Sequence, residues 1–244
     1  MQIKAGQKHI KKIGIIGGMG PMATLDLYDW IIKLTPARKD QDHLPVIINN
    51  APQIPDRTSF LLGEGRDPRP EILSAALELE RGGAKIIAMP CNTAHCFANF
   101  IQRGLKKAEL INMLTETKKY LDGQFLGTLP KPKLGLLATT GTIKTNLYQK
   151  YFQGWHFILP DETTQNSVMD AIYGKNGIKS GRTKYPRQIL RQAAEHLHKN
   201  GAEVIILGCS EISLSLKNEK NNSVCYINPI KILAKALVGK CKPN

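Results

Sequence analysis

The chain contains an internal repeat, and this repeat limits the folds open to it more than any other feature. Residues 12–17 (KIGIIG) are echoed by residues 133–138 (KLGLLA), and residues 83–91 (GAKIIAMPC) by residues 201–209 (GAEVIILGC). The spacing between the two segments is nearly the same in both copies. A repeat of this length predicts two similar structural units that pack against each other.

Short apolar runs rich in β-branched residues alternate with amphipathic stretches along the whole chain. Helical spacing of apolar residues is clear in 72–80 and 189–197. Strands that are apolar almost throughout are typical of parallel sheets covered by helices on both faces. The pattern therefore predicts an α/β fold with two doubly wound parallel-sheet lobes. The eight predicted strands are 12–16, 45–49, 85–89, 110–113, 133–138, 155–159, 203–207 and 225–227.

The repeat also predicts how the chain divides and where a ligand would bind. We expect residues 1–115 together with 223–244 to form a first lobe that carries Cys91. Residues 116–222 would form a second lobe that carries Cys209. Each cysteine ends a predicted strand, and open α/β sheets bind ligands beyond the carboxyl ends of their strands. Two facing lobes would therefore place two thiols across one cleft.

The cysteines lie where a helix is expected to begin. The positive end of a helix dipole lowers the pKa of a thiol and favours the thiolate. Polar residues suited to helix caps and to carboxylate binding follow each cysteine, namely Asn92 and Thr93 after Cys91, and Ser210 and Glu211 after Cys209. The alternative is that both thiols are small buried apolar groups. Their matched positions in the repeat favour a functional pair.

Other binding chemistries are weaker alternatives. Cys91, His95 and Cys96 could ligate zinc, but no second ligand pair exists and Cys96 would lie well around the helix; His95 fits a helix-packing role better. The glycine-rich segment 14–21 lacks the spacing of a dinucleotide fingerprint, and Pro21 would open a helix. Its backbone, with the hydroxyls of 139–142, could still meet a small anion. We therefore expect neither a metal nor a nucleotide cofactor.

Charge and composition narrow the partners further. Lys and Arg number 34 against 20 Asp and Glu, a net charge of +14, yet the basic residues are scattered and aromatics make up only 6%. A nucleic-acid surface is therefore not expected. No apolar run approaches the about 18 residues that cross a bilayer, and no signal-peptide core is evident. Five cysteines without a disulfide framework indicate reduced thiols and a cytoplasmic protein.

The chain resembles the aspartate/glutamate racemase superfamily, and most closely its aspartate racemase branch. The resemblance lies in segments 13–21, 52–58, 89–95, 137–142 and 208–211, with a similar stretch around Ile172 and Tyr173. It implies two lobes related by pseudo-twofold symmetry, an active site in the cleft between them, no pyridoxal phosphate, no metal and usually a homodimer. The implied reaction is racemisation of an acidic amino acid, with aspartate as the first candidate.

The resemblance also assigns residues. The two catalytic cysteines fall on Cys91 and Cys209, and the cationic anchors on Arg57 and Lys179. Lys175 is a substitute for Lys179, because 174–177 resembles a local insertion. The full set of implied substrate contacts is Met19, Gln53, Arg57, Asn92, Thr93, Thr140, Gly141, Thr142, Lys179, Ser210 and Glu211.

Several related functions stay open. Glutamate racemases usually carry Asp-Ser-Gly and Cys-Thr-His where this chain has Gly17–Gly20 and Cys209-Ser210-Glu211, which favours the aspartate branch. A broad-specificity racemase, hydantoin racemisation or cis–trans isomerisation of a small diacid would use the same thiols. A non-catalytic binder of small anions is the remaining alternative.

Overall fold

The computed structural model describes residues 10–216 and 224–241, and within them the chain forms two four-stranded parallel sheets. The first sheet has the order β2-β1-β3-β4 and the second β6-β5-β7-β8, so the repeat is seen as two sheets of the same topology. All eight predicted strands are present and the predicted fold class is confirmed. The strands are β1 Ile13–Gly17, β2 Val46–Asn50, β3 Ile86–Ala88, β4 Glu109–Ile111, β5 Leu134–Leu137, β6 Phe157–Ile158, β7 Val204–Leu207 and β8 Cys225–Ile227.

Helices cover both faces of each sheet. The α-helices are α1 Pro21–Leu34, α2 Arg57–Leu61, α3 Arg69–Arg81, α4 Ala98–Gly104, α5 Met113–Gln124, α6 Thr140–Lys144, α7 Leu147–Tyr151, α8 Glu162–Tyr173, α9 Lys184–Lys199, α10 Ser210–Leu216 and α11 Pro229–Cys241. Short 3-10 helices span Asp40–Asp42, Thr93–Phe97 and Ile178–Ser180. Pro21 opens α1 as the sequence predicts. None of the helices in the described ranges is long and apolar enough to cross a membrane.

The repeated glycines of the two central strands have a packing role. A Cβ on Gly14 would lie 3.0 Å from the Cβ of Ala84 and 3.1 Å from that of Leu79, and one on Gly135 would lie 3.0 Å from the Cβ of Ala202. Because these contacts are tighter than ordinary van der Waals packing, glycine lets α3 and α9, with the turns that follow them, approach the central strands closely. The same close approach in both lobes explains why the motif is repeated.

Four buried apolar clusters lie on the faces of the two sheets. On the first sheet, Ile16 and Ile87 face a cluster with α3 and α4, whereas Ile15 faces a cluster with α1 and α11. On the second, Ile205 faces α8 and α9, and Ile206 faces α5 and α7. Alternate residues of one strand therefore enter opposite cores, which is why these strands are apolar throughout.

The division of the chain into lobes at residues 115 and 223 stays a prediction. It places β8 in the first lobe, whereas the structure places this strand in the second sheet. β8 pairs in parallel with β7 of the second sheet, whereas α11 packs in the first-lobe core. Thr115 lies in the first turn of α5, whose Met113 enters a first-lobe core and Leu121 a second-lobe core. The helix thus joins the two lobes. Ser223 lies outside the described residues.

Candidate active site

A cavity between the two lobes contains both repeat cysteines. Its open volume is small, about 10 Å³, which is the space of about one water molecule. Cys91 follows β3 and Cys209 follows β7, the equivalent strands of the two sheets, and both side chains are buried. The other predicted residues that line the cavity are Met19, Arg57, Asn92, Thr93, Lys179, Ser210 and Glu211.

The backbone of Cys91 is fixed by His95. The Nδ1 of His95 lies 2.8 Å from the carbonyl oxygen of Cys91, and the backbone N–H of Met113 donates to Nε2 at 3.1 Å. Since Nε2 accepts, Nδ1 carries the proton and donates, so the ring is neutral. Burial lowers the pKa of His95 to about 4, which agrees with this state.

The same contacts argue against the zinc alternative. Both ring nitrogens of His95 already have backbone partners. The Sγ of Cys96 is 3.5 Å from the hydroxyl of Thr145 and faces a different cavity from Cys91. These three side chains therefore do not converge as a ligand set. His95 instead packs between β3 and α5, as the sequence favoured.

Cys209 donates a hydrogen bond to a carboxylate. Its Sγ lies 3.1 Å from Oε2 of Glu211, and Oε1 of Glu211 lies 3.3 Å from Nζ of Lys179. Burial, followed by the negative charge of Glu211, raises the pKa of Cys209 well above its usual value. The expectation that a helix start favours thiolate is therefore wrong for this cysteine, because desolvation and the neighbouring carboxylate outweigh the dipole.

Arg57 is held rigidly at the cavity. Its Nη1 donates to the carbonyls of Ile54 at 3.2 Å and Pro55 at 3.0 Å, and its Nη2 donates to that of Met19 at 3.2 Å. The Nε is buried without a partner. Of the five N–H groups of the guanidinium, Nε–H and one on Nη2 donate to no protein oxygen, and the guanidinium also interacts with the Cys91 sulfur. Burial disfavours the charged guanidinium, but its interactions with Cys91 and Asp56 outweigh this and raise the pKa of Arg57.

Polar contacts between the lobes surround the cavity. The hydroxyl of Thr93 lies 3.1 Å from that of Thr139 and 3.0 Å from that of Thr142. The hydroxyl of Ser210 donates to the carbonyl of Pro90 at 2.7 Å. Because each contact joins the first lobe to the second, these residues fix the distance between the two cysteine-bearing turns.

The remaining predicted contacts lie outside the cavity lining. Gln53 is exposed in the turn before α2, and Thr142 is fully buried behind Thr93. The hydroxyl of Thr140 accepts from Nε2 of Gln165 at 3.1 Å, so it faces α8. Gly141 lies against Thr58, where an added Cβ would be 3.1 Å from the Cα. Residues 140–142 therefore join the lobes and do not line the cavity.

Of the two candidate lysines, only Lys179 lines the cavity. Lys179 lines the cavity with 27% of its side chain exposed, and its Nζ lies 5.1 Å from the ring centroid of Tyr173. Lys175 is exposed and is absent from the lining. The intervening turn at Gly177 brings Lys179 back over the site.

Three lining residues are not among the implied substrate contacts, namely Thr58, Thr139 and Tyr173. The hydroxyl of Tyr173 lies 3.2 Å from Oδ2 of Asp56 and 3.3 Å from the hydroxyl of Thr58, which joins the end of α8 to the start of α2. All three lie within or beside segments that resemble the racemases. Their contacts cross between lobes, which one sequence does not reveal.

Comparison with known proteins places the chain in a family. The Asp/Glu/Hydantoin racemase family matches residues 16–237. The broad specificity amino-acid racemase RacX of Bacillus subtilis (strain 168) is 28% identical over 238 residues, which cover 93% of this chain and 96% of that protein.

Solved structures agree over nearly the whole chain. The aspartate racemase of Picrophilus torridus is 28% identical with a TM-score of 0.81, and the match covers 95% of this chain and 94% of that one. An aspartate racemase homologue from Pyrococcus horikoshii OT3 is 25% identical with a TM-score of 0.71, covering 95% and 99%. With a family match across most of its length and the same two-lobed fold, the chain belongs to the Asp/Glu/hydantoin racemase family.

Proposed function

We propose that this protein racemises an acidic amino acid, with aspartate as the first candidate, by proton transfer between Cys91 and Cys209 without a cofactor. The observation that carries the proposal is the presence of both buried thiols in one cavity, at equivalent strand ends, beside two cations. The similarity to an aspartate racemase and to a broad specificity racemase supports the reaction class.

The two thiols have different surroundings, which supports different resting roles. Arg57 lies beside Cys91, and Cys209 donates to Glu211. In the proposed reaction the Cys91 thiolate takes the α-proton from one face of the substrate and forms an S–H bond. The Cys209 thiol then gives its proton to the opposite face of the carbanion-like carbon and becomes the thiolate. The reverse reaction exchanges the two roles, so one thiolate and one thiol are always needed.

Glu211 has a different role from the substrate contact implied by the resemblance. Its carboxylate is already paired with the Cys209 thiol and with Lys179. A second carboxylate from the substrate would be repelled there. We assign Glu211 to holding the proton on Cys209, and Lys179 to balancing the negative charge when that proton leaves.

The N–H groups around the cavity fit a substrate with two carboxylates. Asn92 has an unpaired buried Nδ2, and two N–H groups of Arg57 donate to no protein oxygen. Donors fixed around the α-carboxylate stabilise the negative charge that develops when the α-proton is removed. Arg57 would then bind the side-chain carboxylate in a forked geometry and select acidic substrates.

A broad-specificity racemase is the second candidate. A neighbouring cavity shares Arg57, Lys179 and Glu211 with the first and continues along apolar side chains, including Met22, Ile54, Ile178 and Leu214. A longer apolar side chain of a substrate would fit along these residues. Racemisation of glutamate or of a hydantoin, and cis–trans isomerisation of a small diacid, would use the same thiols.

The test is chiral chromatography of a panel of single enantiomers after incubation with the enzyme. We expect L-Asp and D-Asp to interconvert, and Cys91→Ser and Cys209→Ser each to lower turnover by about a thousandfold or more. Cys96→Ser is the matched control, because this half-buried thiol faces another cavity. Absence of chiral conversion for every amino acid tested, or full turnover in both active-cysteine variants, would contradict the proposal.

We also propose that the protein forms a homodimer, as the family resemblance implies. Met22, Leu25 and Ile32 of α1 are exposed and lie on one side of the helix. Light scattering should give twice the chain mass, and Leu25→Glu should shift it to the monomer. A monomeric wild-type chain at micromolar concentration contradicts the proposal.

A further inference from the structure

We propose that Tyr148 is a positioning residue that turns the amide of Asn92 so that its NH₂ group faces the α-carboxylate of the substrate. The proposal rests on the proposed function for the identity of the ligand. Tyr148 does not line the cavity, and neither its sequence position in α7 nor the family resemblance pointed to it.

The hydroxyl of Tyr148 reaches from the second lobe to the first. Tyr148 is fully buried, and its hydroxyl donates to Oδ1 of Asn92 at 2.6 Å. Its ring packs against Phe152 and Phe157, with centroid distances of 5.2 and 6.2 Å. The aromatic packing fixes the direction of the hydroxyl, and Asn92 is therefore held from the opposite side of the interface.

The donor and acceptor types then decide which way the amide points. Burial raises the pKa of Tyr148 well above its usual value, so the hydroxyl keeps its proton and donates it. An amide oxygen that accepts this proton leaves the NH₂ group on the other side of the amide plane. That Nδ2 is buried and has no hydrogen-bond partner. Asn92 is only 2% exposed and lines the cavity.

An unpaired buried N–H next to Cys91 is unfavourable unless a ligand accepts a hydrogen bond from it. A carboxylate oxygen is the acceptor that the proposed substrate brings. Since Asn92 follows Cys91 directly, a carboxylate bound to Nδ2 would place the attached carbon beside the Cys91 sulfur. With the amide reversed, its oxygen would face the carboxylate and repel it.

The inference is tested by a double-mutant cycle on Tyr148 and Asn92, read by succinate binding in calorimetry and by kcat/KM for aspartate. Succinate is a dicarboxylate without an amino group or a chiral carbon to racemise, so its affinity reports binding alone. We expect Tyr148→Phe to weaken succinate binding and lower kcat/KM by about tenfold or more, the effect of one charge-assisted hydrogen bond. In an Asn92→Ala background the same change should cost less than about twofold.

Two further variants separate positioning from general loss of structure. Tyr151→Phe alters a neighbouring hydroxyl of α7 that accepts from Asn112 at 2.9 Å and faces another cavity, and it should leave both readouts unchanged. Asn92→Asp keeps the shape and the Tyr148 contact but replaces Nδ2 by oxygen, and it should abolish succinate binding.

The outcomes distinguish this inference from the proposed function. Additive effects of the Tyr148 and Asn92 changes, or wild-type succinate affinity in Asn92→Asp, overturn the inference even if the enzyme racemises aspartate. Coupled effects on succinate binding in a protein that racemises no amino acid would support the carboxylate site and reject the racemase.

Discussion

Acidification should destabilise the protein through His95, the buried residue that fixes the backbone of Cys91. In the folded chain its neutral ring donates through Nδ1 and accepts through Nε2, and its pKa is lowered to about 4 by burial. In the unfolded chain it returns to the ordinary value of 6.5. Below pH 6.5 the unfolded state therefore binds more protons than the folded state, and stability falls as the pH falls.

The size of the effect follows from the gap between the two pKa values. A gap of about 2.5 units at about 1.4 kcal/mol per unit corresponds to about 3 kcal/mol, present in full above pH 6.5 and lost as the pH falls to 4. Linkage places about 2 kcal/mol of this loss between pH 7 and pH 5.

Urea unfolding at pH 7, 6 and 5 measures this loss. His95→Gln is the comparison, because glutamine is polar and of similar reach but does not titrate. We expect the unfolding free energy of the wild type to fall by about 2 kcal/mol more than that of His95→Gln over this range. Equal losses in the two proteins would refute a buried neutral His95.

Three further changes follow from contacts in the structure. Glu211→Gln removes the negative charge that helps raise the pKa of Cys209, so the alkaline limb of the pH profile of kcat/KM should move to lower pH; an unmoved limb contradicts the pairing. Gly141→Ala places a Cβ 3.1 Å from the Cα of Thr58 and should hold the lobes apart, lowering kcat/KM by about tenfold, and wild-type kinetics would disprove the close contact. Gly239→Ala fills open space on the exposed side of α11 and should raise the unfolding free energy by about 0.5–1 kcal/mol in urea titration, whereas no gain would mean that the helix end is frayed.

The two sheets were predictable because the information is local. Strands buried on both faces must be apolar throughout, and the glycines of 12–17 and 133–138 mark where a helix presses on a strand. The cysteine pair was predictable for a related reason. Each thiol ends the same strand of a repeated unit, so its position relative to the sheet follows from the repeat.

The details of the cavity were not local and were predicted less well. Thr142 faces Thr93 and not the cavity, and Tyr173 meets Thr58 at a separation of 115 residues. Such contacts depend on how the lobes are turned toward each other. The prediction that a helix start favours thiolate was wrong for Cys209 for the same reason. The helix start is visible in the sequence, but the burial that outweighs its effect on the pKa is a tertiary property.

The central claim is that two thiols act on opposite faces of one carbon. The most direct test follows the conversion of L-Asp in deuterated buffer at early times, by mass spectrometry of the two separated enantiomers. The account predicts that D-Asp carries deuterium at Cα while the remaining L-Asp stays unlabelled, because one cysteine removes the proton and the other delivers one exchanged with solvent. Deuterium entering the remaining L-Asp as fast as D-Asp forms would indicate a single base and contradict the account.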